Sequence, residues 1–109
     1  GGTSFSLIRT LGQAYEISQT HATPLSPMRG WYLATLGGAR ALYLDAHIGN
    51  FQPGREADFV VLDWAATPEL AWRMERTRSL AERLFALMIL GDERCVVATH
   101  VMGERVWSK

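Results

Sequence analysis

The sequence predicts an α+β fold in which helices occupy the first part of the chain and strands dominate the last part. Apolar residues recur every three to four positions over residues 1–47, which is the period of an amphipathic helix. From Ile48 the period changes to two, as in a strand, and the chain ends in alternating apolar residues around a glycine, as in a hairpin. The predicted order is helix, helix, strand, long helix, hairpin.

Composition limits the class of protein. A length of 109 residues is enough for one domain, and 11 basic residues balance 11 acidic ones, so no net charge favours nucleic acid or an anionic membrane. No apolar run reaches the roughly 18 residues that a membrane span needs. The single cysteine, Cys95, excludes an internal disulfide, and with no export signal this predicts a cytoplasmic protein.

The first helix is predicted to begin at Thr3 or Ser4, because either hydroxyl can cap free backbone N–H groups. It should end near residues 20–23. Its buried stripe is predicted to comprise Phe5, Ile8, Leu11, Tyr15 and Ser18.

A second helix is predicted to begin at Ser26 as cap and Pro27 in the first helical position. Gly37 and Gly38 lie inside it, where each glycine costs roughly 1 kcal/mol relative to alanine. We expect this cost to reflect another backbone passing close by; the alternative is a locally weak helix. The stripe of this helix comprises Trp31, Ala34, Thr35, Ala39 and Leu42.

The segment 48–63 is predicted to contain a turn and a strand. Gln52–Arg55 has the Pro-Gly pair of a type II turn. Residues 57–62 are almost all apolar, which predicts a strand covered on both faces. Asp58 inside that strand needs donors, which Arg55 or a backbone N–H could supply, and this structural role is favoured over catalysis.

One long helix is predicted over 67–91, capped by Thr67 and ended by Gly91. Glu69 with Arg73, and Arg78 with Glu82, have the spacing of helical ion pairs. Its inward stripe comprises Leu70, Met74, Thr77, Ala81, Leu84 and Met88.

The chain is predicted to end in a hairpin with strands at 95–102 and 106–107. Gly103 and Glu104 would form its two-residue turn, with glycine in the first central position as a type II′ turn requires.

The residues offer little chemistry by themselves. His21, His47 and His100 show no spacing that would form a metal site, and Asp45 with His47 is better interpreted as a solvated turn than as a ligand pair. Cys95 begins an apolar strand and is predicted to be a buried hydrophobe rather than a nucleophile. We therefore predict no catalytic, cofactor-binding or metal-ligating residue in this chain.

Three stretches resemble the amidohydrolase superfamily. "IGNFQPGREADFVVLD" (48–63) resembles the strand–turn–strand that follows the barrel, "ATLGGARAL" (34–42) resembles the helix before it, and "VVATHVMGERVW" (96–107) resembles the closing hairpin. They cover most of the chain and occur in the order that the superfamily shows.

Within that superfamily the chain resembles the guanine deaminase family. "GGTSFSLIRTL" (1–11) is similar to the segment after the last zinc ligand, an Asp that precedes a glycine loop, and "AERLFALMILGDER" (81–94) also resembles this family. The resemblance implies that Gly1, Gly2 and Thr3 form the loop following that Asp, which would lie a few residues upstream of Gly1. The chain would then be the C-terminal portion of a longer enzyme.

The resemblance also implies a domain arrangement. Residues 1–47 would be the last helices of a (β/α)8 barrel, 48–63 and 94–109 would be strands of a small composite β-sandwich, and 67–91 would be a long helix inserted between them. The first two helices would pack on a sheet that belongs to the rest of the parent polypeptide.

The activity implied by the resemblance is conversion of guanine and water to xanthine and ammonia. The parent would bind zinc, which lowers the pKa of a bound water, while a carboxylate relays the proton. A homodimer is also implied, and the 109 residues alone are expected to be inactive and without zinc. The alternatives are a fragment of another aminohydrolase or chlorohydrolase of the superfamily, or a non-catalytic oligomerisation module of the same fold.

Overall fold

A computed structural model describes residues 4–109. The chain is α+β as predicted, with the helices preceding and flanking a small antiparallel sheet. In chain order the elements are α1 (Leu7–Ser18), α2 (Pro27–Tyr32), a π-helical segment (Leu33–Gly37), α3 (Gly38–Ala41), β1 (Phe59–Leu62), α4 (Pro68–Met74), α5 (Leu80–Leu90), a 3-10 turn (Glu93–Cys95), β2 (Val96–Val101) and β3 (Glu104–Ser108).

Helix α1 begins later than predicted. Its cap is Ser6, whose hydroxyl accepts a hydrogen bond from the backbone N–H of Arg9 at 3.4 Å. Ser4 instead accepts from the N–H of Ser6, and Thr3 lies outside the described residues. Phe5 therefore precedes the helix and is fully exposed, so its predicted place in the buried stripe is wrong.

The second predicted helix begins as expected, because Ser26 caps it and Pro27 occupies its first turn. Its middle is a π-helical segment, which the sequence pattern did not predict. A Cβ on Gly37 would lie 2.9 Å from the ring of Tyr32 in the same helix, and one on Gly38 would lie 3.2 Å from the Leu33 carbonyl oxygen. Among residues 4–109 the close neighbours of these two glycines belong to their own helix, so this part of the chain does not supply the other backbone expected there.

The predicted long helix over 67–91 is wrong, because the chain breaks between α4 and α5. Thr67 caps α4 as expected, but Ser79 caps a second helix by accepting from the N–H of Glu82 at 3.2 Å. The Glu82 carboxylate in turn accepts from the backbone N–H of Arg78 at 2.5 Å. This reciprocal arrangement is a variant of the capping box, whose sequence signature is Ser-x-x-Glu. Gly91 ends α5 in an extended conformation.

The sheet has the order β1-β2-β3 with antiparallel pairing throughout. The type II turn before it is confirmed, since Gly54 has φ +92° and the Arg55 N–H donates to the Gln52 carbonyl at 3.1 Å. The hairpin turn is one residue earlier than predicted. Met102 and Gly103 both have positive φ, at 50° and 80°, which is the type I′ geometry rather than type II′.

The core lies where α1, α4 and the 3-10 turn before β2 meet α5. Helix α5 is central, because α1, α2 and α4 all pack against it. A Cβ on Gly12 would lie 2.9 Å from the Met88 carbonyl oxygen, so α1 and α5 approach closely at this glycine. The buried cluster consists of Ile8, Leu70, Leu87 and Cys95, with Trp31, Leu62, Ala66 and Met74 packed against it.

Large apolar side chains remain on the surface. Strand β1 was predicted to be covered on both faces, but Val60 and Val61 are 52% and 42% exposed within this chain. A typical monomer of this length exposes about 6,100 Å², whereas this chain exposes 7658 Å². Across residues 4–109, no helix is long and apolar enough to cross a membrane.

Candidate functional site

The loop expected beside a metal ligand, Gly1, Gly2 and Thr3, lies outside the described residues. The nearest described geometry is the start of α1. The carbonyl of Ser6 accepts from both the backbone N–H and the hydroxyl of Thr10, at 3.0 and 3.1 Å. This network holds the first turn of α1 by local hydrogen bonds and leaves the Phe5 ring outside it.

The three histidines have unrelated surroundings. His21 is exposed in the segment between α1 and α2, and His47 is exposed in the turn after α3. The His47 carbonyl accepts from the N–H of Glu56 at 2.7 Å, which ties this turn to the segment before β1. Asp45 belongs to the same turn, in agreement with a solvated turn.

His100 on β2 stacks on Phe59 of β1. The two ring centroids are 4.4 Å apart and the ring planes differ by 8°. The Nδ1 atom of His100 is buried and has no hydrogen-bond partner among the described residues. Phe51 adds a third ring, 5.9 Å from Phe59.

Asp58 and Cys95 have the structural roles that the sequence predicts. The Asp58 carboxylate accepts from the backbone N–H of Met102 at 2.9 Å and so supports the hairpin turn. Arg55, the other expected donor, contacts Gln52 instead. Cys95 has no exposed surface and belongs to the core cluster, as a structural cysteine does.

The ion pair between Asp92 and Arg94 was not predicted. The guanidinium of Arg94 reaches both carboxylate oxygens of Asp92, at 2.7 to 3.1 Å. These hydrogen bonds hold the pKa of the Asp92 carboxyl below its usual value. The signal in the sequence is an Asp directly after the end of α5, where it caps the 3-10 turn by accepting from the Arg94 N–H.

The described residues do not supply a metal site. Among residues 4–109, no group of three or more His, Cys, Asp or Glu side chains is placed so that it could hold an ion. What residues 4–109 provide is a scaffold of helix caps and turns with two surface ion pairs, Glu75–Arg76 and Asp92–Arg94.

Comparison with known proteins explains this scaffold. The sequence pattern of the amidohydrolase family matches residues 1–106, which is nearly the whole chain. The chain belongs to the amidohydrolase family.

The similar proteins include several guanine deaminases. The guanine deaminase of Escherichia coli is 46% identical over 99% of this chain, and the probable guanine deaminase of Deinococcus radiodurans is 41% identical over 98% of it. This amidohydrolase chain covers 25% and 24% of those two proteins, so it spans about a quarter of the length of the relatives it matches.

Solved structures of guanine deaminases are also similar to this chain. The E. coli guanine deaminase structure matches 99% of the chain with a TM-score of 0.96, and the guanine deaminase structure from Bradyrhizobium japonicum matches with a TM-score of 0.88 at 37% identity. The chain covers 25% and 29% of those structures. The resemblance to guanine deaminases that the motifs indicate is confirmed, and so is the α+β fold as part of an amidohydrolase.

Proposed function

We propose that this chain is part of a zinc-dependent guanine deaminase, which hydrolyses guanine to xanthine and ammonia. The observation that carries the proposal is the 46% identity to the E. coli guanine deaminase over 99% of the chain, together with a TM-score of 0.96. Because the chain covers a quarter of that relative, the activity belongs to the longer protein.

In this proposal the chain supports the site rather than forming it. Gly1, Gly2 and Thr3 would follow the metal-binding Asp, and α1 would hold that loop in place. The described residues do not form a cage for zinc, so the ligands and the catalytic carboxylate would belong to the rest of the polypeptide. In this proposal the capped first turn of α1 would anchor that loop.

We propose that the exposed apolar surface of this chain is covered by the rest of the longer protein. Residues 1–47 would pack on a barrel, and the strands within 48–63 and 94–109 would join a composite β-sandwich. Support comes from apolar side chains left uncovered on both parts, such as Leu33 and Tyr43 on the helical side and Val60 and Trp107 in the sheet. We also propose a cytoplasmic homodimer that acts in purine catabolism.

The test compares the longer protein with the chain alone. The complete reading frame that encodes these residues is expressed, and its zinc content and its release of ammonia from guanine are measured. We expect stoichiometric zinc and formation of xanthine. The purified 109-residue chain is expected to show no turnover and no stoichiometric zinc.

Other substrates serve as the control in the same assay. An adenine, a cytosine and an aminotriazine test the alternative that this is another aminohydrolase. Preference for one of these rings over guanine would reject the proposed substrate, and turnover of guanine by the 109 residues alone would reject the supporting role.

A further inference from the structure

Three residues on the outward side of α4 and one in the turn that follows it form one continuous surface, which we name the α4 face: Glu69, Trp72, Arg73 and Arg76. Two shallow clefts meet at Trp72. One, of about 530 Å³, is lined by Trp72, Arg73 and Arg76 with residues of α2 and α5. The other, of about 470 Å³, is lined by Glu69, Trp72 and Arg73 with Pro68 and Leu90. Spacings of three and four residues place Glu69, Trp72 and Arg73 on one side of α4. Arg76 joins this side from the turn after the helix by stacking on Trp72.

The opposite side of α4 is already used. Leu70 is fully buried and Met74 packs on the core cluster, so α4 cannot rotate to hide its outward side. Trp72 is 57% exposed, and Leu90 beside it on α5 is 42% exposed. An exposed tryptophan flanked by clefts and charges has the composition of a protein interface centre.

The charges of the α4 face are not paired with each other. The helical ion pair predicted between Glu69 and Arg73 is absent, since the ion pairs within residues 4–109 are Glu75–Arg76 and Asp92–Arg94. The Arg76 guanidinium instead lies 3.7 Å from the centroid of the Trp72 ring, and its Nη1 donates to the Trp72 carbonyl. This stacking fixes the indole before any partner arrives, which lowers the entropy lost on binding.

We propose that the α4 face is a contact between two copies of this chain, in which the two α4 helices pack antiparallel across a two-fold axis. The axis would pass between Trp72 and Arg73. Glu69 of one copy would then face the partner's Arg76, and Trp72 would face the partner's Arg73.

Charge complementarity argues for a second copy rather than another partner. Along α4 and the turn after it, Glu69 comes first, Trp72 lies in the middle and two arginines follow, so reversing the segment places opposite charges together. Glu75 lies 3.8 Å from Arg76, but both side chains remain more than half exposed. A two-fold contact needs such a self-complementary patch, because residue i meets residue j and j meets i. A patch of one sign would instead have favoured a partner of the opposite sign.

This inference rests on the homodimer that forms part of the proposed function, and it adds the surface that mediates it. It does not depend on which ring the enzyme hydrolyses. Dimerisation and ammonia release are therefore measured in parallel on the same preparations, so that failure of one proposal is distinguishable from failure of the other.

The main experiment is a charge swap in the full-length protein, with the dimer dissociation constant measured by sedimentation equilibrium. Glu69→Arg places arginine against the partner's Arg76, and symmetry repeats the repulsion, so we expect dimerisation to weaken about tenfold or more. Arg76→Glu should weaken it similarly. The double variant Glu69→Arg/Arg76→Glu restores opposite charges and should recover most of the affinity.

Glu104→Arg is the matched control, because it makes the same charge change at an exposed residue of β3 that lines neither cleft. It should leave the dissociation constant unchanged. A monomeric wild-type protein, equal weakening by Glu69→Arg and Glu104→Arg, or no recovery in the double variant would each overturn the proposal.

A covalent test covers the case in which the charge variants fold poorly. Arg73→Cys places one reactive thiol next to the axis, whereas Cys95 is fully buried and should not react. A short bismaleimide should join two copies of this variant at concentrations where the wild type stays uncoupled. Failure to couple in a sample that sediments as a dimer would show that the interface, or the remaining polypeptide, covers this face differently, and would overturn the proposal.

Discussion

Leu70 on α4 and Val60 on β1 are both apolar residues inside short elements, yet Leu70 has no exposed surface and Val60 is 52% exposed. The difference extends to the regions around them. The helices gathered on α5 bury a core from four separate segments, whereas every residue of β3 is exposed and β1 shows two valines at the surface. Both regions leave apolar residues that this chain does not cover, but the helices around α5 also bury a core of their own, whereas β3 buries no side chain.

The same comparison distinguishes two kinds of uncovered surface. In the sheet, Val60, Val101 and Trp107 are exposed apolar residues. On α4, Trp72 lies between acidic and basic residues in a self-complementary order. This difference supports our two proposals, that the rest of the parent polypeptide covers the sheet and that a second copy covers the α4 face.

The largest expected effect comes from removing a core side chain of the helical region. Leu70→Ala should lower the free energy of unfolding by about 2–5 kcal/mol, because it leaves a cavity at a fully buried position. Urea unfolding of the purified protein measures this change. Leu80→Ala is the control, since Leu80 is 59% exposed and its truncation should change stability by less than about 0.5 kcal/mol. Equal effects would mean that the helical region does not form the stable core.

A smaller change in the free energy of unfolding is expected for a substitution in the sheet, and it should differ between the 109-residue chain and the full-length protein. Val60→Thr keeps the shape of the side chain and replaces one methyl group with a hydroxyl. In the 109-residue chain the hydroxyl meets water, so the change should be within about 0.5 kcal/mol. In the full-length protein, where we propose that this face is covered, the same substitution should cost about 1–2 kcal/mol. An equally small cost in both proteins would contradict burial of this face.

The smallest effect concerns the surface ion pair after α5. Asp92→Asn removes a carboxylate whose pKa is lowered by hydrogen bonds from Arg94. Because its pKa is lowered in the folded state, the ionised carboxylate stabilises the fold at pH values above the unfolded-state pKa, which is near 3.9. This stabilisation is lost as the pH falls through the folded-state pKa. We expect the Tm to fall by about 1–2 °C at pH 7, because exposed pairs contribute little.

The pH dependence is the critical part of that last measurement. The Tm difference between wild type and Asp92→Asn should shrink as the solution is acidified below about pH 4. Glu93→Gln, a neighbouring exposed carboxylate without an ion pair, is the control and should show little difference at either pH. A difference that persists in acid would mean that the pair does not stabilise the fold through its charge.

The expectation that this chain holds no catalytic or metal-binding residue stays a prediction. No histidine was assigned as a ligand, and within residues 4–109 none belongs to a cluster that could hold a metal. The loop Gly1–Thr3 stays a prediction because it lies outside the described residues. The α4 face could not be recognised from periodicity, since the helical pattern indicated only an inward stripe and an outer ion pair that the structure does not contain.

The sequence by itself determined the features that depend on hydrogen bonds between near neighbours. Ser26 and Thr67 cap their helices, and Gly54 makes its turn, because each needs only residues within three positions along the chain. The break at Ser79 belongs to the same group, since Ser79 and Glu82 encode it locally. Only the tertiary structure decided the turn at Met102 and Gly103, where Asp58 accepts a hydrogen bond across 44 positions, and the exposure of β1. Such contacts join segments that are distant in sequence, and whether a face is covered depends on which polypeptide lies opposite it.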